Sequence, residues 1–174
     1  MSTKSVAHAA DTEFLIRRSM SKGYQLCSLL TPPIYAAFTF SRYGRAHLSV
    51  NRLLRATWIG GGVGCVGGGA FEYVRSASSP EDKIRARRTY AAYNTASIRA
   101  DDHSTIGGLL FAVLTPALFW NKARMVHLVL GGAGLGSSVG LLTHYVRTLS
   151  GDAPPKVEIP THPVVSQTEP STEE

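Results

Sequence analysis

The sequence predicts an all-α fold: a four-span transmembrane helical bundle made of two tandem helical-hairpin repeats. Three observations carry this expectation. Residues 24–41, 56–74, 104–120 and 125–146 are nearly free of charge, while nearly all the Lys and Arg lie between or outside them. Gly60, Gly64 and Gly68 are spaced i, i+4, i+8, and Gly132, Gly136 and Gly140 repeat that spacing. Both glycine ladders end on the same tripeptide, Tyr73-Val74-Arg75 and Tyr145-Val146-Arg147. On a helix this spacing aligns the glycines along one stripe, where a neighbouring backbone can come close. In water so much glycine would weaken a helix, whereas tightly packed membrane helices use it freely.

The N-terminal tail, residues 1–22, has no long apolar core and no small-residue cleavage site, so it does not read as a secretory signal. Asp11 and Glu13 argue against a typical mitochondrial transit peptide, which is poor in acids, and leave import without a cleaved presequence open. Asp11 to Met20 is expected to form a short amphipathic helix at a membrane surface, capped by Asp11 or Thr12. Residues 23–149 form the expected membrane domain. Each of its apolar stretches approaches the ~20 residues that cross a ~30 Å hydrocarbon layer. Two are at the short end, which suits a thin or internal membrane.

Leu30-Thr31-Pro32 in the first stretch recurs as Leu114-Thr115-Pro116 in the third, 84 residues on. The second and fourth stretches align at an offset of 72, with Gly60, Gly62, Gly64 and Gly68 on Gly132, Gly134, Gly136 and Gly140. The order of these matches reads as two hairpins in the same orientation. Pro32, Pro33 and Pro116 are expected to bend their helices, and a gating hinge is the alternative. Between the hairpins, Ser79-Pro80-Glu81-Asp82 starts a helix, with Pro in the first turn and two acids near the positive end of the dipole. Lys83, Arg85, Arg87 and Arg88 follow, with Tyr90 and Tyr93 expected at headgroup level. Residues 150–174 are Pro-rich and acidic and are expected to be disordered.

The net charge of +6 does not point to nucleic acid, because the basic residues flank the apolar stretches and do not line one amphipathic face. Cys27 and Cys65 lie inside apolar stretches as small apolar side chains, with neither CxxC nor Cys/His metal spacing. Gly62-Val63-Gly64-Cys65-Val66-Gly67 matches G-x-G-x-x-G, but no strand–helix–strand context surrounds it, so no dinucleotide is expected. Glu72 and His144 each lie four residues beyond the last glycine of a ladder and are repeat-equivalent. They are read as solvated interfacial residues, as a candidate intramembrane polar pair, or as a proton or substrate site. His127 is expected at the interface. No catalytic, cofactor-binding or metal-binding residues are expected, no cofactor is implied and the chain does not read as an enzyme.

The short glycine-rich spans, the basic middle loop and the entry Asp101-Asp102-His103-Ser104-Thr105-Ile106-Gly107-Gly108 resemble the channel subunits of the mitochondrial inner-membrane protein translocases. That superfamily includes a four-span accessory subunit of respiratory complex I. The resemblance covers about residues 30–147, and the chain is also similar to small uncharacterised fungal multi-pass proteins, for which no activity is implied. The expected function is a non-enzymatic structural or assembly component of a mitochondrial inner-membrane complex, with a transporter or protein-translocase subunit as the alternative. The expected partners are the lipid bilayer and other membrane-protein subunits, with no nucleic acid and no identifiable small-molecule substrate. The helix-packing residues are expected to be Gly60, Gly64, Gly68, Gly132, Gly136 and Gly140.

Overall fold

A computed structural model describes residues 3–44, 48–152 and 154–155. The described chain is helical: α1 spans Thr3–Tyr43, α2 Val50–Ala77, α3 Glu81–Tyr93, α4 Thr95–Phe119 and α5 Met125–Leu149. The N-terminal tail and the first apolar stretch are one helix, which runs through Gly23 and carries Pro32 and Pro33 inside it. Gly44, at φ 74°, follows its last residue in the left-handed conformation that glycine adopts without steric cost.

Pro80 occupies the N-cap of α3, with Glu81 and Asp82 in the first turn, as the sequence reading expects. The Asn94 side chain accepts from the Ser97 amide at 3.0 Å and starts α4 immediately afterwards. At the end of α5, Gly151 lies at φ 100°. The Asp152 amide reaches back to the Arg147 carbonyl at 3.1 Å, closing the helix with a Schellman pattern. The first residues of the expected disordered tail are held here, because Asp152 pairs with Arg99 and Thr95 Oγ1 donates to the Pro155 carbonyl at 2.7 Å. The rest of that tail lies outside the described residues.

Packing is pairwise. The helices α1 and α2 form one intimate antiparallel pair, α4 and α5 a second, and α5 joins the two by lying against both α1 and α2. The short α3 crosses the N-terminal half of α1, burying Ile84 completely. A bundle of four equivalent spans is not what forms. Among the described residues there are five helices, of which only α4 and α5 are long and apolar enough to cross a membrane. The reason is chemical. Half of α1 carries Asp11, Glu13, Arg17, Arg18 and Lys22, and its remainder is diluted by Thr, Ser, Pro and Gln. The apolar stretch of α2 is largely glycine, which brings no side chain to transfer into lipid, and Glu72 and Arg75 close it.

The interior is sparse in apolar residues. Among the described residues six hydrophobic ones are buried: Leu15, Leu54, Ile84, Ala100, Leu128 and Leu141. Thirty-three large hydrophobic side chains are exposed, and twelve polar or charged residues are buried. Only 22% of the apolar window of α4 is buried inside the protein, against 50% for that of α5. This distribution is the reverse of a water-soluble protein, in which exposed apolar patches are small.

Candidate functional site

The two ladders do not face each other. Each faces the helix that precedes it within its own pair. A Cβ added at Gly64 would run into the carbonyl oxygen of Gly23, and one at Gly68 into that of Ser19. In the second pair the same experiment brings Gly136 onto the Gly107 carbonyl and Gly140 onto that of His103. Gly60 lies on the side chain of Thr31, and Gly132 on that of Thr115. The Thr-Pro elements of the repeat therefore supply the surface for the first glycine of each ladder. Thr31 Oγ1 donates to the Cys27 carbonyl at 2.6 Å, which keeps its hydroxyl satisfied within α1.

The sequence reading overlooked Gly23 and Gly107 as packing residues. The signal was present, because the offset of 84 that aligns Thr31 with Thr115 also aligns Gly23 with Gly107. Gly134 behaves differently from its repeat counterpart. It lies off the ladder stripe and is nevertheless buried, and its added Cβ would sit 2.9 Å from Thr57 Cγ2 on α2. Its counterpart Gly62 faces open space. The α2–α5 contact thus uses Gly131 on Leu54 and Gly134 on Thr57, a stripe separate from the ladder.

Glu72 and His144 are both buried, at 5% and 4% exposure, but they do not pair. Glu72 accepts a hydrogen bond from Arg87 Nη2 on α3 and another from Ser76 Oγ at 3.2 Å. His144 instead packs against His103 of α4, ring centroids 5.6 Å apart, and against Tyr145. The physical reason is that each ladder is turned inward to its own hairpin partner, so each end residue meets that pair's neighbours. A second ion pair joins the buried Asp11 to the exposed Arg88. His127 is tied to α2: Trp58 Nε1 donates to its Nδ1 at 3.1 Å, with the rings stacked.

Between α1 and α4 lies an open cleft of about 520 Å³, with Cys65, Ala133 and Ser137 among its walls. Its rim is bridged by Asp101, which accepts from Lys22 Nζ and Gln25 Nε2, both at 2.7 Å. Deeper in, Ser104 and Ser137 hydroxyls share a hydrogen bond of 2.5 Å across the α4–α5 contact. Among the described residues no group of three or more His, Cys, Asp or Glu is arranged to hold a metal ion.

The class that the described residues define is an all-α protein with two helices long and apolar enough to cross a membrane. No protein-family model, no characterised protein and no solved structure matches the chain. The functional argument therefore rests on its own residues.

Proposed function

We propose that the protein is a non-enzymatic structural or assembly component of a membrane complex, held in the bilayer by the α4–α5 hairpin. The observation that carries this reading is the inverted distribution of apolar residues, with thirty-three large hydrophobics exposed and six hydrophobic residues buried. On α4 the uncharged run from Ser104 presents Ile106, Leu109, Leu110, Val113 and Leu118 outward, as lipid requires. The outward faces of α1 and α2 carry Leu30, Ile34, Phe38, Val63 and Val66, although neither helix is apolar enough to stand in lipid alone. Neighbouring membrane-protein subunits are the cover that suits such faces, which is why an assembly role is preferred. The glycine-rich stretches and the translocase-like segment Asp101–Gly108 within α4 are what favour the mitochondrial inner membrane as the location.

Alkaline carbonate extraction of membranes from cells expressing the tagged protein tests the first step, and the protein is expected in the pellet. Recovery in the supernatant would end the membrane reading. Blue-native electrophoresis of mitochondrial inner membranes in mild detergent tests the second, with migration in a complex far larger than 18.7 kDa expected. A transporter or translocase subunit is the second reading, favoured by the open cleft between α1 and α4 with its Ser and Gln lining. Crosslinking from a photoreactive group at Ala112 to a transiting polypeptide would favour it over the assembly role.

A further inference from the structure

Beneath α3 a second cleft, of about 580 Å³, opens between the N-terminal half of α1 and the C-terminal end of α2. Arg18, Lys22, Arg75 and Arg87 line it, with Glu72 the one carboxylate among the lining residues. Two of these cations are already neutralised, Arg87 by Glu72 and Lys22 by Asp101. The side chains of Arg18 and Arg75 form neither hydrogen bond nor ion pair among the described residues. Arg87 keeps its Nη1 buried with no acceptor. A buried donor without an acceptor is costly, and a cleft with two surplus positive charges favours an anion that offers several oxygens.

The position of the cleft selects among anions. Lys22 in its wall is bound to Asp101, one turn before the uncharged run of α4 begins at Ser104. The cleft is therefore level with one end of a helix able to cross the bilayer. Beside it, Phe71 and Val74 of α2 are each 67% exposed, and Tyr73 of α2 and Tyr90 of α3 62%. Tyrosines at headgroup level beside apolar side chains are the pattern of a membrane–water boundary, and basic pockets between helices there hold anionic headgroups. We propose that the α1–α2–α3 cleft binds the phosphate of an anionic phospholipid, with Arg18 and Arg75 as its charge partners and the Phe71–Val74 surface against the acyl chains. The inference rests on the membrane reading given above.

The test uses the full-length protein in neutral detergent, titrated with phosphatidylglycerol, phosphatidylcholine or inorganic phosphate and read by native mass spectrometry. Phosphatidylglycerol should be retained in preference to phosphatidylcholine. The Arg18→Gln/Arg75→Gln double variant should lose roughly thirtyfold in phosphatidylglycerol affinity, the effect of about two basic residues at an anionic lipid surface. Neither side chain holds a partner, so the variant should keep its helical circular dichroism. Arg52→Gln/Arg55→Gln, at the start of α2 and remote along that helix from Arg75, should bind like the unmodified protein. Equal retention of the two lipids, or unchanged binding by the first variant, would overturn the proposal. Inorganic phosphate displacing phosphatidylglycerol at equal concentration would overturn the lipid source and leave a free-phosphate site. Carbonate extraction of the membranes from which the protein is purified separates the two failures. A protein that stays in the pellet without headgroup preference refutes only this inference.

Discussion

In the α1–α2 pair, Thr31, Gly23 and Ser19 meet Gly60, Gly64 and Gly68; in the α4–α5 pair, Thr115, Gly107 and His103 meet Gly132, Gly136 and Gly140. The two pairs close by the same contacts and differ in what surrounds them. The second has the apolar length of a membrane hairpin, whereas the first falls short of it and carries charged residues along much of α1. The first also has α3 across it, whose Arg87 holds Glu72, while the equivalent His144 meets His103 of its own pair. The lesson is that close backbone approach does not depend on hydropathy. A stripe of small residues sets the distance between two helices, and the remaining faces are free to diverge.

The sharpest way to break this comparison is through the feature that only the first pair has. Glu72 has a side chain 7% exposed, and Arg87 is its charge partner. Arg87→Leu takes a charge-assisted hydrogen bond from a buried carboxylate, with Arg18 and Arg75 in the same cleft left to offset its charge, and should cost up to about 3 kcal/mol. Thermal unfolding in detergent, followed by circular dichroism, measures it. Glu72→Gln keeps an acceptor for Arg87 and should cost distinctly less, because one hydrogen bond survives the loss of charge. Equal effects of the two variants would show that charge alone, and not the contact, supports α3.

Of similar size are the effects at the ladders themselves. Gly64→Leu and Gly136→Leu would each drive a side chain into a backbone carbonyl that cannot rotate away, so each should cost about 3 kcal/mol or more. If the pairs are built alike, the two losses should match. Gly134→Leu strikes the α2–α5 contact instead, against the Thr57 methyl, and should loosen the two pairs from each other at about 1–3 kcal/mol. Gly62→Leu meets nothing and removes a flexible residue from a helix, so it should gain roughly 0.5–1 kcal/mol. Limited proteolysis between the pairs, around residues 78–80, would separate loosening of the pairs from unfolding within one.

Much of the packing was legible because it repeats. Glycine spacing marks a close helix contact, and the helix start at Pro80-Glu81-Asp82 follows from local chemistry alone. What a ladder faces is a different matter. Periodicity fixes which residues share a stripe of one helix and carries no information on which other helix occupies it. Glu72 and His144 therefore sit at the ladder ends, both buried, and of the readings open to them the mutual pair does not form, because each meets the neighbours of its own helix pair. Arg87 was visible only as one of several basic residues in the middle segment. Four charge-poor stretches suggested four spans, but lack of charge is not apolarity, and glycine, threonine and proline satisfy the first without supplying the second.

The smallest effect should come from the link that crosses between the pairs at the rim of the open cleft. Lys22 and Asp101 have side chains 33% and 30% exposed, so water and salt screen their attraction. Asp101→Asn removes the charge and keeps an oxygen for Gln25, which donates to the same carboxylate. The expected loss is about 1 kcal/mol or less, fading as ionic strength rises toward molar salt. Gln25, itself 6% exposed, makes the contrast informative. Gln25→Leu leaves the Lys22 pair intact and should change the salt dependence little. Reversing that order, with Gln25→Leu abolishing the salt dependence and Asp101→Asn leaving it, would mean that the bridge between the pairs is held by the amide and not by the ion pair. The two pairs would then be joined by packing and neutral hydrogen bonds alone, with no electrostatic latch across the cleft.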